Sequence, residues 1–213
     1  CLEPATASYV HNLMGLGRNT QILDVSNACL GFLNALFLAR SMIEQGIINR
    51  AIIVAGENGK PLVDETVSLL NSSNFDRKSI KPYFANLTIG GGAVAWSICR
   101  DSKKESSRPR LSQFAGSTDT SHNQLCEGDQ SSGGMIMQTD SEELLHAGIS
   151  VATHAWKKFL IASKWNPQSP KLVVTHQVGK AHQQEIEKAL SYDPQTSFTT
   201  YESLGNCGSV SLP

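Results

Sequence analysis

The sequence lacks three features that would each indicate a particular class of protein. No uninterrupted apolar run approaches the roughly 20 residues that a membrane-spanning helix needs, so we expect no transmembrane segment. The first residues, Cys1-Leu2-Glu3-Pro4, have neither the basic and apolar regions of a signal peptide nor an initiator methionine, and we interpret them as a start within a domain. Lysine and arginine total 18 against 19 acidic residues. Such a balance supplies no positive field to hold a phosphate backbone, so nucleic acid is not an expected partner.

Cysteine is scarce as well. The five cysteines are an odd number and include no Cys-x-x-Cys pair, which argues against a disulfide framework and against structural zinc. His122 and Cys126 lie close in sequence, but no second pair of ligands accompanies them. We therefore expect no metal site and no bound cofactor. Thiols stay reduced in the cytosol, which makes the cytoplasm the expected location.

Apolar strand-like segments alternate with helix-like segments along the chain. We predict strands at 21–26, 50–56, 87–98 and 171–175, and helices at 28–46, 141–164 and 178–190. This alternation is typical of an α/β fold with a mostly parallel sheet. Residues 100–110 contain almost no apolar side chains and are predicted to be a linker that joins two halves. Residues 116–134 are predicted to form a polar loop.

The helix predicted at 28–46 is apolar on all sides at its start. From Ala28 to Ala39 every residue except Asn34 is apolar or glycine. A helix that leaves no face for water must be enclosed, and this one is too short for a membrane. We therefore predict that it lies inside a layered protein and is covered on both sides. The helix at 141–164 keeps a charged side and is predicted to lie in an outer layer.

Cys29 stands where a predicted strand meets this helix, among small residues. The first N–H groups of a helix have no partner within it and its dipole is positive there, so both favour a thiolate. Cysteines in such places can have a pKa lowered to roughly 3.5–7.5. We therefore predict that Cys29 is a nucleophile with a lowered pKa. The alternative interpretation is an inert cysteine packed within the helix.

His176 and Asn206 are the other candidates for catalysis. His176 directly follows the strand at 171–175, so it lies at the carboxyl end of its strand, where ligands of open α/β sheets gather. Asn206 lies in a turn between Gly205 and Gly208. An imidazole and an amide can together donate hydrogen bonds to one developing oxyanion. The alternatives are a histidine that caps a helix and an asparagine that satisfies its own turn.

Four motifs occur in a fixed order and span nearly the whole chain. They are Asp24-Val25-Ser26-Asn27-Ala28-Cys29-Leu30-Gly31-Phe32, Thr88-Ile89-Gly90-Gly91-Gly92-Ala93-Val94-Ala95, His176-Gln177 and Gly205-Asn206. The series resembles the thiolase superfamily, in its branch of ketoacyl synthase III-like condensing enzymes. The resemblance implies a homodimer with a five-layer αβαβα fold made of two similar halves, which we place at residues 1–104 and 105–213. It also implies that both ends are incomplete and that one backbone donor of the oxyanion hole is missing.

Several residues depart from ordinary ketoacyl synthase III. Leu30 follows the cysteine in place of a small polar residue, Gly91 stands where aspartate is frequent, and Val178-Gly179 follow the His-Gln motif. These features, with the opening residues 2–7, are similar to the head-to-head acyl-CoA condensing thiolases of long-chain olefin biosynthesis. In those enzymes a glutamate before the cysteine segment acts as the base in the partner subunit's site, and Glu3 matches that position. The alternative for Glu3 is a residue favoured only by the start of a helix.

The resemblance implies a non-decarboxylative Claisen condensation. Cys29 would take an acyl group from one acyl-CoA, and Glu3 of the other subunit would remove a Cα proton from a second. His176 and Asn206 would hold the oxyanion, and hydrolysis would release a 2-alkyl-3-ketoacid. Coenzyme A enters only as the substrate thioester. The nearest alternative is a decarboxylative 3-oxoacyl-ACP synthase III, which condenses acyl-CoA with malonyl-ACP and does not need Glu3. A cysteine hydrolase and a non-catalytic acyl-binding protein are further alternatives.

Overall fold

A computed structural model describes residues 3–72, 74–100, 109–129 and 136–213. Within these residues the chain forms six α-helices and six strands. The helices are α1 (Thr6–Leu13), α2 (Gly31–Glu44), α3 (Lys60–Ser72), α4 (Ser141–Ser163), α5 (Lys180–Leu190) and α6 (Tyr201–Leu204). The strands are β1 (Arg50–Asn58), β2 (Gly91–Cys99), β3 (Cys126–Asp129), β4 (Ile136–Thr139), β5 (Val173–Val174) and β6 (Ser197–Phe198). Short 3-10 helices lie at Ala28–Leu30, Lys81–Thr88, Asn123–Leu125, Pro194–Thr196 and Gly208–Val210.

The strands pair into three two-stranded sheets among the described residues. β1 and β2 are antiparallel along nine residues each, with Ile53 opposite Trp96, and β3 pairs with β4 in the same sense. Only β5 and β6 are parallel. The prediction of a mostly parallel sheet is therefore wrong for the described part of the chain. The pairing is antiparallel because β2 begins beside the end of β1. The connection through α3 and the Lys81–Thr88 helix brings the chain back to that end.

The core lies where α2 packs on the β1–β2 sheet. Phe32, Leu36 and Ala39 on one face of α2 are buried together with Ile53 of β1, and the ring of Phe32 meets Trp96 edge to face with centroids 5.5 Å apart. The opposite face is only partly covered, because Phe37 is 49% exposed although it contacts the ring of Phe114. The prediction that this helix is covered on both sides therefore does not hold within the described residues.

Three other sequence-based predictions need correction. Residues 21–26 form no strand, since none of the described segments pairs with them. The segment predicted as a strand from residue 87 begins only at Gly91, because residues 81–88 form a 3-10 helix. The predicted loop at 116–134 contains β3, whose polar sequence becomes a strand by pairing with β4. Most of the predicted linker, and the boundary between residues 104 and 105, lie outside the described residues. The division of the chain into two similar halves therefore stays a prediction.

The second half of the chain holds the helices α4 and α5 in contact. Asp140 caps the start of α4 by accepting a hydrogen bond from the N–H of Glu143 at 3.1 Å, which satisfies one of the free donors there. No residue of α4 is fully buried, in agreement with the predicted outer helix. Trp156 links α4 to the end of α5, because its indole N–H donates a hydrogen bond to the carbonyl oxygen of Leu190 at 3.0 Å. No helix in the part of the chain that the structure describes is long and apolar enough to cross a membrane.

Candidate active site

Cys29 lies in the 3-10 turn Ala28–Leu30, directly before α2, and its side chain is half-buried. Ala28 has a positive φ of 42°, a conformation that is uncommon for a residue with a side chain. Gly31 is the first residue of α2, and a Cβ there would make an ordinary contact with the Oγ of Ser209 at 3.4 Å. The turn that carries the cysteine is therefore strained at Ala28 and lies against Ser209.

The electrostatic environment of Cys29 differs from the predicted one. Burial raises the pKa of the Cys29 thiol above its ordinary value, and the carboxylate of Glu57 raises it further. The backbone N–H of Cys29 itself lowers the pKa, but by less. The prediction of a lowered pKa is therefore wrong. The α-helix begins only at Gly31, after the cysteine, and the loss of hydration around the sulfur outweighs the favourable N–H.

The raised pKa predicts slow alkylation of Cys29 at neutral pH. Because the thiolate is the nucleophile, we expect iodoacetamide to modify Cys29 more slowly than a free cysteine at about pH 7, at a rate that still rises beyond about pH 9. Peptide mapping by mass spectrometry across this pH range measures the rate, with the exposed Cys99 as an internal reference. A rate for Cys29 that becomes constant below about pH 8 would contradict the assigned direction of the pKa shift.

Asn206 is held by the backbone of the glycine-rich segment before β2. Its N–H donates to the carbonyl oxygen of Thr88 at 2.9 Å, and its own carbonyl accepts from the N–H of Gly90 at 2.9 Å. Gly205 has a φ of +68°, and a Cβ there would lie 2.5 Å from the Thr88 oxygen, so only glycine fits. The side-chain Oδ1 of Asn206 accepts from the N–H of Gly208 at 3.0 Å. The amide NH₂ has no acceptor among the described residues and is left able to donate.

The asparagine segment also contacts the cysteine turn. The hydroxyl of Ser209 donates to the carbonyl oxygen of Ala28 at 2.6 Å, and the N–H of Ser209 donates to Oε1 of Glu57 at 3.1 Å. Glu57 is near the end of β1, opposite Gly92 of β2. The structure thus joins the Cys29 and Asn206 segments, which are far apart in sequence, through Ser209.

His176 follows β5, as predicted, and is half-buried. Burial lowers the pKa of His176 to about 4, and the neighbouring His182 contributes to the shift, so the ring is neutral at pH 7. Nδ1 of each of these two imidazoles is buried and has no hydrogen-bond partner within the described ranges. A neutral imidazole of this kind can donate one hydrogen bond but carries no charge.

Gln177 connects the histidine to the asparagine segment. It is 1% exposed, and its amide NH₂ donates to the carbonyl oxygens of Thr175 at 2.8 Å and Phe198 at 3.3 Å. Its Oε1 accepts from the N–H of Thr200 at 2.7 Å. Because Thr200 directly precedes α6, which leads to Gly205, this one buried side chain fixes how the histidine loop meets the asparagine loop.

Glu3 is exposed and precedes α1, and its side chain forms no hydrogen bond with another described residue. The segment that follows it is anchored to the residues before the cysteine. The carboxylate of Asp24 accepts from the N–H groups of Ala7 at 2.8 Å and Thr6 at 2.7 Å, and these bonds lower the pKa of Asp24. No contact among the described residues joins Glu3 to Cys29 of the same chain, but Asp24 fixes the segment after Glu3 to the segment before the cysteine.

Sequence reasoning missed Glu57 and Ser209. The one available signal for Glu57 was an acidic residue at the end of an otherwise apolar strand. Ser209 gave no signal, because its partners Ala28 and Glu57 are far away along the chain. Both residues contact the backbone that carries the predicted catalytic groups.

Known proteins share both the sequence and the fold of this chain. Residues 23–108 match the family of 3-oxoacyl-[acyl-carrier-protein (ACP)] synthase III. The chain is 36% identical over 219 residues to the acyl-CoA:acyl-CoA alkyltransferase of Shewanella oneidensis, and 32% identical over 216 residues to the protein of the same name from Xanthomonas campestris. These alignments cover 99% and 100% of this chain but 62% and 61% of the relatives. The chain therefore spans about three fifths of their length.

Solved structures of OleA from Xanthomonas campestris have the same fold. A cysteine-to-serine variant with bound lauric acid and lauroyl-CoA superimposes with a TM-score of 0.89 at 30% identity, covering 100% of this chain and 62% of that chain. A glutamate-to-glutamine variant gives a TM-score of 0.92 over 100% of this chain and 60% of that chain. This chain is therefore similar to thiolase-like enzymes in both sequence and fold. The thiolase-like α/β fold that the sequence predicted is confirmed, whereas the catalytic roles of the individual residues stay predictions.

A cleft of about 410 Å³ opens beside the cysteine turn. Asn27 and Leu30, on either side of the turn, line it together with Leu33 of α2 and Phe114. Lys158 lies at the cleft as well, and its ammonium donates to the carbonyl oxygen of Gly116 at 2.9 Å. The walls are therefore partly apolar, with amide and ammonium groups beside them.

Proposed function

We propose that this chain carries the catalytic site of an acyltransferase that joins two fatty acyl-CoA molecules by non-decarboxylative Claisen condensation. The observation that carries the proposal is the joining of the Cys29 and Asn206 segments through Ser209, in a chain 36% identical to an acyl-CoA:acyl-CoA alkyltransferase. That relative is longer than this chain, so the activity, the substrates and the partners are proposed for the protein as a whole.

The first step is the transfer of an acyl group to Cys29. The thiol sulfur attacks the thioester carbonyl of an acyl-CoA, a new carbon–sulfur bond forms, and the bond to the sulfur of CoA breaks. The proton of the thiol leaves with CoA as its free thiol. Since the raised pKa keeps Cys29 protonated at neutral pH, this proton is removed as the bond forms rather than beforehand.

The second step joins the two acyl groups. Glu3 takes a Cα proton from a second acyl thioester, and the enolate attacks the carbonyl carbon of the acyl group on Cys29, which releases the sulfur. His176 and Asn206 donate hydrogen bonds to the negative oxygen. The free amide NH₂ of Asn206 and the neutral imidazole of His176 suit this role, because both donate without supplying a charge. Water then hydrolyses the remaining thioester to give a 2-alkyl-3-ketoacid.

The known variants of OleA support the assignment of these residue types. Solved structures of that protein include substitutions of a cysteine, a glutamate and a histidine. The substituted glutamate precedes the substituted cysteine by the same number of residues by which Glu3 precedes Cys29. The exposure of Glu3, away from its own chain's contacts, suits a base that acts in the partner subunit of a homodimer.

The proposed substrates are fatty acyl-CoAs, since the related OleA binds lauroyl-CoA in a solved structure. A role in long-chain olefin biosynthesis is part of the proposal, because the sequence resembles the head-to-head acyl-CoA condensing thiolases and its relatives are named acyl-CoA:acyl-CoA alkyltransferases. Cys29, Cys99, Cys126 and Cys207 are free thiols, which suits a reducing cytoplasm.

A decarboxylative 3-oxoacyl-ACP synthase III is the second candidate, because residues 23–108 match that family. The two functions differ in the donor. Incubation of the purified protein with lauroyl-CoA alone should release two CoA molecules for each ketoacid formed, without malonyl groups. A strict need for a malonyl thioester, with release of carbon dioxide, would establish the second candidate and remove the first.

A further inference from the structure

Ser209 holds the residue immediately before the proposed nucleophile. It is 9% exposed, and its hydroxyl donates to the carbonyl oxygen of Ala28 at 2.6 Å. This short bond joins residues 181 positions apart in sequence. Because this hydroxyl is buried and donates to the Ala28 carbonyl, the hydrogen bond restricts the direction of that carbonyl.

The carbonyl of Ala28 and the N–H of Cys29 belong to the same peptide unit. Because that unit is planar and trans, whatever fixes the direction of the carbonyl also fixes the opposite direction of the N–H. This N–H belongs to the same residue as the sulfur, and it lowers the pKa of that thiol. Ala28 would not keep its φ of 42° without support, because that conformation costs energy for any residue with a Cβ.

Glu57 supports Ser209 from the other side. Its Oε1 accepts the N–H of Ser209 at 3.1 Å. The adjacent Gly208 has a φ of +52°, which favours glycine, and a Cβ there would lie 2.7 Å from the same carboxylate oxygen, so a larger residue would displace the Glu57 carboxylate. The backbone of Ser209 is thus held at the end of β1 by Glu57, while its hydroxyl is held at the cysteine turn by Ala28.

We propose that Ser209 is a positioning residue that aims the backbone N–H of Cys29 at the thioester oxygen during acylation. The proposal rests on the proposed function, because it requires that Cys29 is acylated. The N–H then stabilises the negative oxygen of the tetrahedral intermediate together with the side chains of His176 and Asn206. A misdirected N–H weakens this stabilisation while the sulfur stays reactive.

The test compares two reactions of the same sulfur in Ser209→Ala. Acylation by lauroyl-CoA needs an oxyanion donor, whereas alkylation by iodoacetamide develops no oxyanion on a carbonyl. We expect single-turnover acylation to fall about 10–100-fold, with kcat reduced and KM little changed, because removal of one oxyanion donor costs roughly 10²–10³-fold and here the donor is only displaced. Alkylation of Cys29 should stay within about twofold of the original rate.

Two further variants make the test specific. Ser209→Thr keeps the hydroxyl and should restore most of the acylation rate. Ser203→Ala removes an exposed serine hydroxyl of α6 that, among the described residues, bonds only to the carbonyl of Thr200 at 3.3 Å, and it should leave acylation unchanged. All rates are taken per folded molecule, from the circular dichroism signal of each variant.

The outcomes separate this inference from the proposed function. Unchanged acylation in Ser209→Ala, or acylation and alkylation that fall by the same factor, would overturn the positioning role while the condensing activity stands. Failure of the unsubstituted protein to form an acyl-enzyme with lauroyl-CoA would instead overturn the proposed function.

Discussion

Replacement of Cys29 with alanine is expected to abolish acyl-enzyme formation and to lower condensation by about 10⁴-fold or more. No other group in the proposed mechanism can hold the first acyl chain, so its loss removes the covalent intermediate and not merely one stabilising contact. Intact-protein mass spectrometry after incubation with lauroyl-CoA, together with release of free CoA, measures both effects. The unsubstituted protein should gain the mass of one lauroyl group, and Cys29→Ala should gain none.

Cys99→Ala is the matched control for this experiment. Cys99 ends β2 and is exposed, so its replacement removes a thiol without opening a cavity in the core. This variant should form the acyl-enzyme at the original rate. Acylation that persists in Cys29→Ala but disappears in Cys99→Ala would show that the nucleophile has been assigned to the wrong cysteine.

Replacement of Glu3 with glutamine is expected to lower condensation of two acyl-CoAs by about 10²–10⁴-fold, the usual contribution of a general base. Glutamine keeps the size of the side chain but cannot take up the Cα proton. Acylation of Cys29 precedes the proton transfer, so release of the first CoA should be unchanged. The amount of CoA released in the first turnover and the amount of ketoacid give the two rates. An unchanged condensation rate in Glu3→Gln would favour the decarboxylative reaction.

Mixing of two inactive variants tests whether Glu3 acts in the partner subunit. In a mixed dimer of Cys29→Ala and Glu3→Gln subunits, one site receives an intact Cys29 from one chain and an intact Glu3 from the other. Subunit exchange between the two inactive homodimers should therefore restore condensation. If Glu3 served its own chain, each mixed dimer would carry two defective sites and activity would stay absent.

The sequence predicted the elements whose patterns are local. The apolar runs of β1 and α2 and the charged side of α4 each appear within one segment, so periodicity and composition locate them. The cysteine, histidine and asparagine motifs were likewise visible because each is short and contiguous. The strand predicted at 21–26 failed for the opposite reason. A strand needs a pairing partner, and local sequence cannot supply one.

The contacts that organise the site were not predictable in the same way. Ser209 forms hydrogen bonds with Ala28, 181 positions away in sequence, and with Glu57, 152 positions away. No local residue pattern predicts either hydrogen bond. The direction of the Cys29 pKa shift failed because burial depends on residues far away in the chain, whereas the helix end that suggested a thiolate is local. Motif order therefore identified the candidate groups, but only the fold showed which backbone atoms support them.

The mass of the product formed from a single isotopically labelled long-chain acyl-CoA tests the account most directly. With the protein supplied only with lauroyl-CoA that carries carbon-13 throughout its acyl chain, we expect a 2-alkyl-3-ketoacid, or the ketone left after it loses carbon dioxide. Both halves of the product should carry the label, as required when two acyl-CoAs join at Cys29. Recovery of labelled lauric acid alone, with no new carbon–carbon bond, would contradict the account and indicate a hydrolase.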